Sequence, residues 1–489
     1  DASKATFTGG SGVDTVTLAA TTPSKAVSLG AGDDSLNLGA LAGTPTGKLD
    51  GGTGTDNLTM TAALAATASA DAKFAGVVIG FEKVTLTGAT NQTIDLSVLG
   101  SFNHVTTSGG NGLTLSNLPT GGTLVLSGAG TAYTIGNSAF TAGTNDTVNL
   151  TLTDGSSGNV SFASTGITAS GVENFVITTA DTQATPSGVT DSVTLLGNSV
   201  KSITVSGNAG LTLTATSTAL TNVDASGISL GGFSYTSGAL ASASVIKGSA
   251  AGPNTVDASA ATAAVSYTGG SGDDSFTATN GKGNTVAAGD GNNTIVVSSG
   301  NNTITAGKGN DAVTATTGNN TVNLGNGTNS FTATTGNNTY TGGTGVDTVT
   351  IGGGSNTVTL GTGADVVNLT AASANVNTYS TITDAHAGAS ISFTNQGTET
   401  FASTKVSLAA TAVFQDYANA VIAAGGNASV NGAFGWFQFN GDTYLVESRH
   451  DGSGNNASFV NGTDMIIKLT GLVDLSTATG AGTATLTLA

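Results

Sequence analysis

Short polar side chains recur in this chain at one place in a repeated turn. Between residues 266 and 370 they are Asp274, Asn293, Asp311, Asn329, Asp347 and Asp365, spaced by about 18 residues. Glycines precede them, as in Gly343-Thr344-Gly345-Val346-Asp347-Thr348-Val349, and an apolar residue follows two places on. Three earlier segments carry the same pattern and end their turns on Asp14, Asp34 and Asp56. Carboxylates held in tight turns are hard oxygen donors, and glycine turns expose main-chain carbonyls beside them. A donor set of that kind suits calcium, which takes six to eight oxygens from carboxylates and carbonyls. A nine-residue period with glycine turns, a polar sixth position and an apolar eighth is the pattern of a calcium-binding parallel β-roll.

The expected metal ligands are therefore Asp14, Asp34, Asp56, Asp274, Asp311, Asp347 and Asp365, with Asn293 and Asn329 at the same position. The turns at Gly343, Gly345, Gly361 and Gly363 supply carbonyls. Two nine-residue turns make one coil, so same-edge residues of successive coils stack about 4.8 Å apart. Two aspartates at that distance repel unless a cation lies between them. Asp347 with Asp365 is the strongest such pair in the regular stretch. The plainer alternative is that each aspartate caps its turn by bonding the backbone. The intervening turns carry Asn284, Asn302, Asn320, Asn338 and Asn356 instead. That edge reads as a neutral amide ladder that stacks without metal.

Other chemistry is thin. The three histidines (His104, His386 and His450) stand in unrelated contexts, and no catalytic signature surrounds them. Arg449-His450-Asp451-Gly452-Ser453 superficially suggests a triad, but triad members come from separate elements placed by a fold, so it reads as a solvated loop. The strand pairs Thr303/Thr305, Thr339/Thr341, Thr348/Thr350 and Thr357/Thr359 read as outward, solvated ladders.

The elements that hold these residues follow from the apolar spacing. Phe276, Val286, Ile295, Ile304, Val313, Val322, Phe331, Tyr340, Val349, Val358 and Val367 point into one thin core. Bulky Phe331 and Tyr340 are followed two places on by Ala333 and Gly342, and smaller Val322 and Val358 by Leu324 and Leu360, which compensates volume across the core. Residues 1–61 read as irregular calcium turns. A short helix is expected within 62–75. The remainder of 62–265 alternates apolar residues with Thr and Ser between glycine turns, which predicts a parallel β-helix or stacked strand repeat. Gly80-Phe81-Glu82-Lys83-Val84 and Gly171-Val172-Glu173-Asn174-Phe175 read as one unit used twice. Residues 266–370 form the regular roll. Within 371–489, residues 411–424 read as an amphipathic helix stopped by Gly425-Gly426, with Val413, Phe414, Tyr417, Ala418, Val421 and Ile422 on its apolar face. Strands 433–439 and 443–447, joined at Asn440-Gly441-Asp442, and a strand at 465–469 complete a cap over the open end of the roll.

Composition agrees. The chain of 489 residues has 73 glycines but only 5 prolines and 9% charged residues, which favours many short strands joined by tight turns. Net charge is −18, only four acids are Glu, and Arg449 is the sole arginine, which excludes nucleic-acid binding. There is no cysteine, hence no disulfide or thiolate chemistry. No apolar run reaches the ~18–20 residues of a membrane-spanning helix. The chain begins at Asp1 rather than Met, and reads as a fragment or processed product.

These nonapeptides resemble the RTX (repeats-in-toxin) proteins exported by type I secretion. That resemblance implies calcium held by same-edge aspartates and loop carbonyls, and an uncleaved C-terminal secretion signal. Three features are similar to RTX-type bacterial surface-layer proteins: the Thr/Ser/Gly-rich β segment, Ser380-Thr381-Ile382-Thr383-Asp384-Ala385-His386-Ala387-Gly388, and the ending from Phe437-Gln438-Phe439 to Leu475-Ser476. The loop departs from the family at Ala385 and Ala389, where an aromatic and an acid are usual. The expectation is an all-β, elongated calcium-stabilised solenoid with a small C-terminal cap. It would be secreted, extracellular and non-enzymatic, assemble with itself into a lattice, and meet a cell-surface glycolipid through a part outside this chain. The alternatives are the repeat region of an RTX adhesin or the translocation region of an RTX enzyme.

Overall fold

The computed structural model describes residues 5–18, 22–39, 41, 43–100, 102–140, 143–394, 400–424, 433–449, 458–480 and 484–489. The chain divides into two compact units, Asp1–Ala263 and Ala264–Ala489. Each is a parallel β-solenoid that carries its core between two sheet faces.

In Ala264–Ala489 the nine-residue period becomes two sheets. Val286, Ile304, Val322, Tyr340 and Val358 are successive register partners on one face. Ile295, Val313, Phe331, Val349 and Val367 are partners on the other. Alternate nonapeptides thus feed opposite faces, and two of them make one coil. All ten side chains are buried. The expected volume exchange is visible at Phe331 and Tyr340, whose rings stack across the core with centroids 5.6 Å apart and planes 8° from parallel. Ala333 fills the small position two residues beyond Phe331. The threonines of Thr303–Thr305, Thr339–Thr341 and Thr357–Thr359 face outward in register, as the alternation predicts.

Asp1–Ala263 is built the same way with longer, unequal coils. Its strands pair in parallel among the described residues, including the long ladders of Thr147–Asp154 with Asn174–Asp181 and of Thr190–Leu196 with Gly210–Ala215. Coil-to-coil bonds span 20 residues at Ser127–Thr107 but 34 at Thr165–Thr131. The expected helix in 62–75 runs over Ala62–Ser69, capped by the Thr61 hydroxyl accepting from the Leu64 amide.

The roll ends under added strands. Met465–Leu469 pairs in parallel with Ser380–Ile382, and Thr485–Thr487 pairs antiparallel with Ser390–Ser392. Ala433–Phe439 and Asp442–Glu447 form an antiparallel hairpin. Both of its turn residues take positive φ, Asn440 at 51° and Gly441 at 88°, which is why Asn-Gly occupies them. Helix Phe414–Ala424 lays Ala418, Val421 and Ile422 on this cap, with Phe414 and Tyr417 partly buried. Val413, expected on the apolar face, precedes the helix and is 60% exposed. The glycine stop at 425–426 lies outside the described residues.

Replacing Phe331 with Ala opens a cavity against Tyr340 and is expected to lower stability by about 3–5 kcal/mol in urea unfolding. Thr332→Ala, on the outward face of the same strand, should stay within about 0.5 kcal/mol.

Candidate metal centre

Where the chain turns from one sheet face to the other, main-chain N–H groups at the sixth position cannot be met within a strand ladder. The sixth-position side chain of the next coil meets them. Asp274 N donates to Asn293 Oδ1 (3.0 Å), Asn293 N to Asp311 Oδ1 (2.9 Å), and Asp311 N to Asn329 Oδ1 (3.0 Å). Asn329 N donates to Asp347 Oδ1 (3.0 Å), and Asp347 N to Asp365 Oδ1 (2.8 Å). All six side chains are buried. The backbone-capping role therefore holds for one oxygen of each residue in this column that follows Asp274.

The second oxygen distinguishes them. Asp274 Oδ2 accepts from Gly270 N at 3.1 Å. Asp347 Oδ2 accepts from the Tyr340 hydroxyl at 3.0 Å. Asp311 Oδ2 and Asp365 Oδ2 are buried with no hydrogen-bond partner. Burial pushes both carboxyls above the usual carboxylate range, and the Asp347 charge adds to this at Asp365. A buried carboxylate oxygen without a donor calls for a cation or a proton.

Asparagine at this position has a different effect. Asn293 Nδ2 donates to Gly289 O and Gly291 O, both at 3.1 Å, and to Asp311 Oδ1 at 2.8 Å. Asn329 Nδ2 donates to Gly325 O at 3.1 Å. The amide supplies loop carbonyls with the positive end that a cation would otherwise provide. On the opposite edge this extends to a full column. Asn302, Asn320 and Asn338 each give Nδ2 to the next Asn, at 2.8–2.9 Å, and to a glycine carbonyl of their own turn, at 3.0–3.2 Å. Asn284 leads this column and Ser380 ends it, accepting from Asn356. The neutral ladder expected there is present.

The four named glycines shape the turns. Gly343 O accepts from Thr362 N at 2.8 Å, and Gly345 N donates to Thr362 O at 2.9 Å, so neighbouring turns are zipped by backbone. Gly345 and Gly361 hold φ of 124° and 92°, and a Cβ on either would run into the carbonyl of the coil before. The roll edge closes at the 380–388 loop. Asp384 accepts from Leu360 N and Gly361 N, both at 2.8 Å. His386 Nε2 lies 3.0 Å from Gly363 O and 3.6 Å from Asp365 Oδ2. Carbonyl contacts to both ring nitrogens raise its pKa, so the imidazolium is favoured next to Asp365.

Asp1–Ala263 carries a more acidic column. Asp14 N donates to Asp34 Oδ1 (2.7 Å), Asp34 N to Asp56 Oδ1 (2.8 Å), and Asp56 N to Glu82 Oε2 (2.8 Å). Asp34 and Asp56 are fully buried, and each keeps an Oδ2 with no partner. Burial raises the Asp56 carboxyl, and the charges of Asp34, Glu82 and Asp33 raise it further. Glu82 was missing from the expected set. Its signal was the repeated Gly-x-Glu unit, because Glu173 Oε2 takes the Asp146 amide at 2.9 Å in the same way. Among the described residues no three His, Cys, Asp or Glu side chains already converge at metal distance, so main-chain carbonyls and water would supply much of any coordination shell. His104 pairs with Lys83, the residue after Glu82, one coil beyond the end of that column, and residues 450–453 of the discarded triad lie outside the described residues.

Asp365→Asn keeps the Oδ1 acceptor and removes the buried charge. In calcium-free buffer it should stabilise the chain by about 1–3 kcal/mol. The native Asp365 pKa is raised, so the wild type loses this stability as pH rises through the native value. The advantage of the variant is largest at neutral pH and disappears below the ordinary value of 3.8, which urea unfolding across pH would read. Asn320→Ala should lose about 1–3 kcal/mol equally with calcium or with chelator, since its column contains no charge.

The family model described as an RTX calcium-binding nonapeptide repeat (4 copies) matches residues 287–322 and again 332–367. No curated protein matches the chain. The turns at 9–17, 29–37 and 51–59 stand on their geometry. This is a parallel β-solenoid protein that carries RTX calcium-binding nonapeptide repeats.

Proposed function

We propose that the chain is a secreted, non-enzymatic structural protein that folds on binding calcium outside the cell and then assembles with itself into a surface layer. The observation that carries this reading is the set of buried carboxylate oxygens without a hydrogen bond at Asp34, Asp56, Asp311 and Asp365, each beside a glycine turn, those of Asp311 and Asp365 within the segments that match the RTX repeat. Calcium would lie along the two acidic columns, held by Asp14, Asp34, Asp56, Asp311, Asp347 and Asp365 with loop carbonyls.

Linkage supplies the mechanism. An ion that binds the folded coils and not the unfolded chain adds about 2.7 kcal/mol per site when present at 100 times its Kd. The stacked acids repel one another until the ion arrives, so the chain stays unfolded where calcium is scarce and closes where it is plentiful. RTX repeat proteins are typically secreted, and no helix among the described residues is long and apolar enough to cross a membrane. The lattice reading rests on the surface-layer resemblance of the Thr/Ser/Gly-rich coils and the chain ending, with a cell-surface glycolipid as the anchoring partner.

Electron microscopy of the purified chain tests this. Ordered sheets are expected with calcium, and none with chelator, together with loss of the β signal in far-UV circular dichroism. Sheets and β signal that persist unchanged in chelator would overturn the calcium mechanism. Folded monomers that bind cells or sugars without forming sheets would move the protein to the adhesins. Hydrolase activity in a longer chain would assign it to a secreted enzyme.

A further inference from the structure

Strand-ending aspartates are a recurring device in Asp1–Ala263. Asp95, Asp181 and Asp257 each end a strand and accept from the amide two residues on, at Ser97, Gln183 and Ser259, with distances of 2.9–3.0 Å. Such a turn satisfies the carboxylate locally. Asp154 ends strand Thr147–Asp154 in the same way but departs from the device. Burial holds its carboxyl above the ordinary value although the Ser156 amide lies close enough to lower it, and neither carboxylate oxygen receives a hydrogen bond of normal geometry. It is only 8% exposed.

Two further carboxylates share this corner. Asp181 is the register partner of Asp154 on the neighbouring coil. Asp191 opens the other sheet face, and its Oδ1 takes the Val160 amide at 2.9 Å, where the loop leaving Asp154 is received. Asp154 and Asp191 thus stand at the two ends of one short exposed loop, residues 155–159. Asp191 is fully buried, and its Oδ2 has no partner. Burial pushes its carboxyl up to about 6, and the like charges of Asp154 and Asp181 add to this. Asp181 is committed elsewhere, its oxygens accepting from Gln183 N, Gln183 Nε2 and Ser187 N. It contributes charge to the corner and no free oxygen.

We propose that Asp154 and Asp191 hold a calcium ion at this corner, a site outside the nonapeptide turns. Three buried carboxylate oxygens without a hydrogen bond, two from Asp154 and one from Asp191, belong to the residues that flank the exposed loop 155–159. An all-oxygen donor set completed by water and loop carbonyls, with no nitrogen or sulfur ligand, selects a hard divalent cation. The ion would join the end of one sheet face to the start of the other and fix a corner that carries no nonapeptide.

The test uses the full chain, folded in calcium, desalted and analysed for bound calcium. Asp154→Asn, Asp191→Asn and the double variant are each expected to carry one ion fewer per chain than the wild type, with the other ions retained. Unchanged calcium content, with thermal stability equal to or above wild type, would overturn the proposal and identify protonated carboxyls instead. Should the variants not fold, terbium soaked into crystals of the wild-type chain gives the same decision. An anomalous peak between Asp154 and Asp191 supports the site, and filled nonapeptide turns with no peak there overturn it. Ions at this corner but none in the nonapeptide turns would refute the calcium columns while leaving this site standing.

Discussion

Each coil is tied to the next by one repeated bond: a short side-chain oxygen at the turn accepts the main-chain N–H of the equivalent residue one coil back. The bond exists because a corner residue has left one ladder and not yet entered the other, and a buried N–H left unmet is costly. Only Asp and Asn, and occasionally Ser or Glu, place an oxygen at the required distance from the backbone. Once the position is restricted to these, the remaining choice is charge. Asparagine uses its NH2 group to saturate the carbonyls of its own turn, as Asn320 does at Gly318. Aspartate offers a second oxygen instead, and at Asp311 and Asp365 no hydrogen bond meets it, with His386 standing 3.6 Å from that of Asp365. Dependence on a cation is therefore set residue by residue, by a substitution that leaves the hydrogen bond to the backbone intact.

That bond also explains which features were readable from the chain. Where the period is constant, position determines neighbour. Asp347 and Asp365, Asn302 and Asn320, and the exchange of volume at Phe331 and Ala333 all follow from counting residues. Glu82 closes the acidic column below Asp56, yet it lies 26 residues away across a coil that includes a helix, so no fixed count reaches it. The Tyr340 hydroxyl was hidden for another reason. Tyr340 reads as a core apolar residue, and its polar tip reaches Asp347 because Gly342 leaves the space. At Asp154 the sequence shows an ordinary strand-ending aspartate. Only the geometry of the loop reveals that its turn bond is not made.

The two acidic columns differ in how densely charge is packed. In Ala264–Ala489, asparagines separate Asp274, Asp311 and Asp347, so only Asp347 and Asp365 are direct neighbours, and the Tyr340 hydroxyl and His386 stand beside that pair. In Asp1–Ala263 the column Asp14, Asp34, Asp56 and Glu82 has no neutral member. Coulomb repulsion between buried neighbours is weakly screened by salt, in contrast to that between exposed charges. The undiluted column therefore gains more from a bound cation than the interrupted one does.

The asparagine edge gives the regular roll a further property. It runs from Asn284 through Asn356 to Ser380 with every link an uncharged hydrogen bond, so it holds neighbouring coils together whatever the ionic conditions. A one-coil slip would still pair Asn with Asn on that edge, and Val or Ile with similar residues inside. It would not preserve the opposite edge, where Asp and Asn alternate and the terminal Asp365 must meet His386. The neutral edge thus supplies cohesion without specifying register, while the mixed edge specifies register at the expense of cohesion. Calcium bound at the mixed edge would add the missing cohesion where the register is already encoded, and one short repeat could then both stack indefinitely and stop at a defined end.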